Sequence, residues 1–170
     1  MPGCVQAVLF DHEYIVAHDG VPIKDVPLLN EHTYVPCGTT ALLDAIGRTI
    51  NTIGERLDKA PESERPAKVI IAILTDDLEN ASQEFKRKTD LQNDQASARG
   101  VLWEFIFLGA RQDAIQAGAQ IGIPTANAVT FSEAPGGVGR AFAAVSNVAT
   151  AYRAGDADYA QHLAKAAKKK

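Results

Sequence analysis

KVIIAILTDDLENAS, residues 68–82, is the stretch on which the rest of the chain turns. Its first seven residues are almost continuously apolar and rich in β-branched side chains, the pattern of a strand covered on both faces, as in a parallel sheet. The run then drops into two adjacent carboxylates, Asp76 and Asp77, followed by Glu79 and Asn80. In an open parallel sheet, ligands bind outside the carboxyl ends of the strands. The acidic turn therefore occupies the position that this architecture uses for binding. An Asp there also has a structural use, because it accepts hydrogen bonds from the first amides of a following helix.

Outward from this strand, hydrophobic periodicity sets the remaining elements. Val5–Phe10 is a short apolar run that reads as a strand. Tyr14–Ile23 follows as a second β segment with an Asp19-Gly20 turn signal inside it. Leu42, Leu43, Ile46, Ile50, Ile53 and Leu57 recur at helical spacing and predict an amphipathic helix over Thr40–Leu57. DKAPESERPA, residues 58–67, is a charged, proline-interrupted loop. Ala81–Arg99 is polar and reads as a surface helix broken near Thr89-Asp90. Trp103–Leu108 is a strand, Arg111–Gly122 a short helix and Asn127–Phe131 a strand. A last helix over Val138–Tyr152 places Val138, Phe142, Val145, Val148, Ala149 and Tyr152 on one face, with Gly155 at the C-terminal cap. Strands alternating with helices predict an α/β protein with a mainly parallel sheet. One domain is expected over residues 1–155, with an Ala/Lys-rich tail over 156–170.

Composition agrees with a globular chain. Its 170 residues are 46% hydrophobic and 22% charged, which suits a single domain with a core of its own. No apolar segment has the length needed to cross a bilayer, and MPGCVQAVLF lacks the pattern of a signal peptide. A cytoplasmic address and no membrane partner are expected. A net charge of −4 does not attract nucleic acid. The basic tail Lys165–Lys170 has no interleaved aromatic residues and reads as a solvated terminus. Cys4 and Cys37 have no metal-ligand spacing and read as free thiols.

Other chemistry-bearing residues have plainer roles. His32 lies near Cys37, but no third orienting group accompanies the pair. His12 and His18 flank a strand. APGGVGRAF, residues 134–142, sets glycines and Arg140 between a strand and a helix, yet lacks the spacing and the lysine of a phosphate loop. Trp103, Phe105 and Phe107 alternate along their strand and read as sheet packing.

GTTALLDAI, residues 38–46, is a Gly-Thr-Thr turn that opens directly into a helix. With VIIAILTDDLENAS, residues 69–82, it resembles the von Willebrand factor type A family, and FDHEYIVAHDGVPI (residues 10–23), NAS (80–82) and WEFIFLGARQDAIQAGAQIGI (103–123) look more narrowly like its small stand-alone bacterial and phage members. The resemblance spans roughly residues 5–131. It implies a Rossmann-like three-layer sandwich and a metal-ion-dependent adhesion site to which Thr40 and Asp76 contribute, with Thr39, Asp77 and Glu79 in support. Hard hydroxyl and carboxylate oxygens suit Mg²⁺ or Mn²⁺, which keep some waters and leave a position for a partner's carboxylate.

Two departures from the family pattern stand out. Asp77 occupies the position where the family has Gly, and no D-x-S-x-S occurs in the chain. The chain opens at what looks like the family's second strand, so the first strand, central in that sheet, and its helix are missing. The resemblance then implies an interaction module, not an enzyme, with a degenerate or partner-completed metal site. Its expected partners are a protein offering an acidic residue, and a second copy or a complementing strand. The alternatives are a metal-dependent phosphate binder or hydrolase using Asp76, Asp77, Glu79 and Arg140, and a truncated remnant without metal function.

Overall fold

The computed structural model describes residues 3–30, 32, 33, 35, 38–85, 100–110, 114–132 and 134–167, the last four as backbone. The chain divides into two compact units: Met1–Pro66 with Glu79–Leu91, and Ala67–Leu78 with Gln92–Lys170. Among the described residues no helix is long and apolar enough to cross a membrane.

The first unit holds an antiparallel pair, β1 (Cys4–Phe10) and β2 (Tyr14–Pro22), and the helix α1 (Leu42–Lys59). Asp11 closes the hairpin by accepting the Glu13 N–H on its own carboxylate at 2.6 Å, the local hydrogen bond that makes Asp a turn residue. The Asp19-Gly20 signal does not make a turn. Val5 pairs with Val21 and Ala7 with His18, so β2 carries an extra residue there, and Gly20 adopts φ +66°. The glycine's freedom at positive φ makes a β-bulge, and the strand runs on. α1 buries Leu42, Ala45, Ile46, Ile50 and Leu57, the stripe that its 3.6-residue period predicts.

The second unit is a three-stranded parallel sheet in the order β3 (Lys68–Thr75), β4 (Leu102–Gly109), β5 (Ala128–Thr130). The β3–β4 register is unbroken from Lys68↔Leu102 to Thr75↔Gly109. Among the described residues three helices belong to this unit: α2 (Ala114–Gln120), α3 (Gly137–Ala154) and α4 (Ala160–Ala167). On one face, Ile106 and Leu108 of β4 pack with Ala141, Ala144 and Val148 of α3 and Leu163 of α4. Ile70, Leu74, Val129 and Phe131 adjoin this core. Ile106, Leu108, Val148 and Leu163 are essentially sealed from solvent, and each such aliphatic side chain contributes about 1.5–3 kcal/mol. On the other face Phe107 is 1% exposed, beside Gly118 of α2 and Ile123.

α3 is the expected helix turned on its axis. Val138 and Phe142 are 47% and 57% exposed, whereas Gly137, Ala141, Ala144 and Val148 are buried. Small residues at that spacing let the helix lie close to the sheet, and that close approach outweighs burial of Val138 and Phe142, each one position away. The C-terminal cap is as predicted: Gly155 has φ +83°, its N–H donates to Tyr152 O, and the Asp156 N–H donates to Ala151 O. Beyond it the chain is not merely a tail, since α4 sends Leu163 into the core. Residues 81–85 are not helical. The rest of the helix predicted over 81–99 lies outside the described residues.

Candidate functional site

The Gly-Thr-Thr turn and the ENAS segment meet inside the first unit and hold each other through hydrogen bonds between residues about forty positions apart. The Thr40 N–H donates to Asn80 Oδ1 at 2.8 Å, and the Asn80 N–H donates back to the Thr40 carbonyl at 3.0 Å. Glu79 is the hub. Its Oε2 accepts from the Leu43 N–H at 2.8 Å and the Ser82 hydroxyl at 2.7 Å, while Oε1 accepts from the N–H groups of Ala81 and Ser82. Ser82 Oγ in turn accepts the Asp44 N–H at 3.0 Å.

The first amides of a helix have no partner within it. α1 has Ala41 at its N-cap and no side-chain cap of its own. Glu79 and Ser82, far along the chain, supply the missing acceptors, and the Glu79 carboxylate faces the positive end of the helix dipole.

Asp44 reciprocates. Its Oδ1 accepts from the N–H groups of Glu84 at 2.9 Å and Phe85 at 2.8 Å, and its Oδ2 from that of Gln83 at 2.9 Å. Burial pushes the Asp44 carboxyl up, but the three amides and Arg48 together outweigh it and hold the group below the ordinary carboxylate value. Phe85 lies against the helix where there is no side chain: a Cβ on Gly47 would sit 2.5 Å from its ring. Arg48 Nε and Glu84 Oε2 close the outer edge at 2.8 Å as an exposed pair, which contributes little.

Among the residues proposed as metal ligands, Thr40 is 8% exposed and its backbone is pinned by Asn80. Thr39 is exposed. Glu79 has both oxygens occupied by the clasp. Asp76 and Asp77 belong to the second unit, at the carboxyl end of β3, and both are exposed; the Thr75 hydroxyl donates to the Asp77 carbonyl at 2.9 Å. Among the described residues no three His, Cys, Asp or Glu side chains converge as a metal-holding group. The donor types of Thr40, in the first unit, and Asp76, in the second, suit a hard cation, and each by itself supplies one oxygen of an octahedral shell.

His12 pairs with Asp11 at 3.2 Å and His18 Nε2 lies 3.1 Å from Pro27 O. Cys37 lies outside the described residues. A shallow depression lined by His12, Glu13, Tyr14, Asp44 and Arg48 has a volume of about 20 Å³, far below the roughly 300–1,000 Å³ of a typical small-molecule pocket. Arg140 is exposed near the start of α3, where Gly136 has φ +81°.

Sequence reasoning passed over a second polar group, in the second unit. The Lys68 ammonium lies 4.5 Å over the Tyr152 ring and donates to the Tyr152 carbonyl at the end of α3. Glu104 accepts from the Asn127 side-chain amide and from the Tyr159 hydroxyl. Burial, with the Glu104 carboxylate beside it, pushes the Tyr159 hydroxyl up to about 12. A polar Glu104 in the otherwise aromatic and aliphatic β4 was the available signal for this group.

What the fold and its polar clusters define is a mixed α/β protein with a three-stranded parallel sheet and a helix start clamped by a distant acidic loop. No family model, curated protein or solved structure matches the chain.

Proposed function

We propose that the chain is a protein-interaction module of the von Willebrand factor A type, with Thr40 and Asp76 as the remnant of a Mg²⁺- or Mn²⁺-dependent site that a partner's carboxylate completes. The observation that carries this reading is the exposed Asp76 carboxylate at the carboxyl end of a parallel strand, the place where open α/β sheets bind their ligands. Further support comes from Glu79, Asn80, Ser82 and Asp44. All four serve backbone amides, so Glu79 of the ENAS loop and Asp44 of α1 build the scaffold that holds the Thr40 turn. The Rossmann-like three-layer arrangement belongs to the same proposal, and the parallel β3-β4-β5 sheet is compatible with it.

The test is calorimetric titration of the chain with Mg²⁺ and then Mn²⁺, repeated with Thr40→Ala and Asp76→Ala. Saturable binding that either substitution abolishes is the expected result, followed by metal-dependent capture of peptides ending in Asp or Glu. Metal and peptide binding that both substitutions leave unchanged would remove these two residues from the site.

A further inference from the structure

The two edges of the β3-β4-β5 sheet differ. β5 is three residues long, an edge too short to template another strand. β3 is eight residues long, pairs among the described residues with β4 alone, and has no proline, no bulge and no charge between Lys68 and Thr75. Soluble proteins usually blunt such an edge with one of those devices.

The ladder shows which groups the edge offers. The Ala67 carbonyl accepts the Leu102 N–H and the Thr75 carbonyl accepts the Ala110 N–H. Odd-numbered residues of β3 therefore turn their peptide groups toward β4, and Lys68, Ile70, Ala72 and Leu74 turn theirs away from it. On the helix-covered side Ile70 and Leu74 are half-buried, and Ala72 between them is exposed. The strip beside the open edge is apolar, with its smallest residue at the centre.

The charges are arranged to match a second copy. Lys68 begins the strand, and Asp76 and Asp77 follow its end. We propose that two copies of the chain associate through β3, antiparallel about a two-fold axis at Ala72, joining two three-stranded sheets into one of six. Pairs that exchange peptide hydrogen bonds must both be even-numbered, so this centre sets Ala72 opposite Ala72, Ile70 opposite Leu74, and Lys68 opposite Asp76. On the other face it sets Ile71 opposite Ile73 and Val69 opposite Thr75. Each cross-strand pair is apolar, β-branched or opposite in charge, the combinations that stabilise neighbouring strands. The interface is isologous and closes at two subunits. Lys68 keeps its hydrogen bond to the Tyr152 carbonyl, since an ammonium has three donors.

This association needs no metal, so it is tested in EDTA and stands or falls separately from the Thr40–Asp76 site. Sedimentation velocity of the full chain from about 1 to about 100 µM, a range that brackets ordinary reversible dimers, is expected to show a species of twice 18.1 kDa. Ala72→Lys sets two like charges on the axis and is expected to raise the dissociation constant by about tenfold or more, with an unchanged circular dichroism spectrum because Ala72 is exposed.

Ala72→Cys, in a chain carrying Cys4→Ser and Cys37→Ser, is expected to oxidise to a covalent dimer. Directly opposed residues lie about 5.5 Å apart, within disulfide reach. Ile70→Cys in the same background, about 13 Å from its own copy, is expected to stay monomeric under oxidation. A chain that is monomeric throughout the range overturns the proposal. So does a dimer indifferent to Ala72→Lys whose Ala72→Cys form does not cross-link.

Discussion

Replacing Asp44 with Ala removes the one carboxylate that accepts three consecutive amides, those of Gln83, Glu84 and Phe85, at 2.8–2.9 Å. Hydrogen bonds to a charged acceptor are worth about 1.5–3 kcal/mol each in net terms, but they do not add simply. Gln83 and Glu84 are exposed, so water replaces much of what their amides lose, while Phe85 is half-buried and its amide is harder to rehydrate. The expected loss is about 2–4 kcal/mol, from one poorly compensated amide and a released loop.

The sign of the pH dependence follows from the direction of the shift. Asp44 titrates below its ordinary 3.8 in the folded chain, so over that window the unfolded chain binds the proton first. Its stabilisation is complete above pH 3.8 and disappears as the pH falls through the folded value. Urea unfolding followed by circular dichroism, near neutrality and again near pH 3, is expected to show a steep acid loss in the wild type. Asp44→Asn, already weakened, is expected to show a shallower one. Hydrogen exchange of the amides of residues 83–85 gives the local readout, and it should accelerate in both variants. An Asp44→Ala chain within about 0.5 kcal/mol of wild type, the ordinary range of a surface substitution, with unchanged exchange at 83–85, would refute the clasp as a source of stability.

Two glycines close together in α3 are expected to respond oppositely to Ala. A Cβ on Gly137 would fall 1.5 Å from the Ser132 carbonyl oxygen, whereas nothing lies within 4 Å of one on Gly139. Gly137→Ala should cost about 3 kcal/mol or more by displacing the helix start, and Gly139→Ala should gain about 0.5–1 kcal/mol from helix propensity, both read from thermal melts. For Tyr159, raised to about 12 from 10.0, the folded chain holds the proton longer than the unfolded one. Its contribution is therefore present below pH 10 and lost as the pH rises toward 12. Burial raises the Tyr152 hydroxyl too, so spectrophotometric titration should show more than one late-ionising tyrosine, the latest component of which Tyr159→Phe removes.

Much of the local structure was legible in the residue pattern. The continuous apolar run of β3, the 3.6-residue stripe of α1 and the Gly155 cap are each encoded by neighbours in sequence, whose side chains share a face or a turn for purely local geometric reasons. Asp19-Gly20 is ambiguous in sequence because a glycine at positive φ serves a turn and a bulge alike. Only the partner strand distinguishes them. Of the face expected for α3, Val145 and Val148 do pack on the core, whereas Val138 and Phe142 give way to the smaller Gly137 and Ala141.

The candidate site divides in the same way. The sequence alone determined that oxygen-rich side chains cluster after β3 and that a hydroxyl-rich turn precedes α1. The tertiary structure decided what those oxygens do: Glu79 and Ser82 receive the free amides of α1, and Asp44 receives those of residues 83–85. A helix end and a strand end each carry unmet hydrogen-bonding groups wherever they occur. Which groups meet which, across about forty residues of chain, is settled only when the chain is folded.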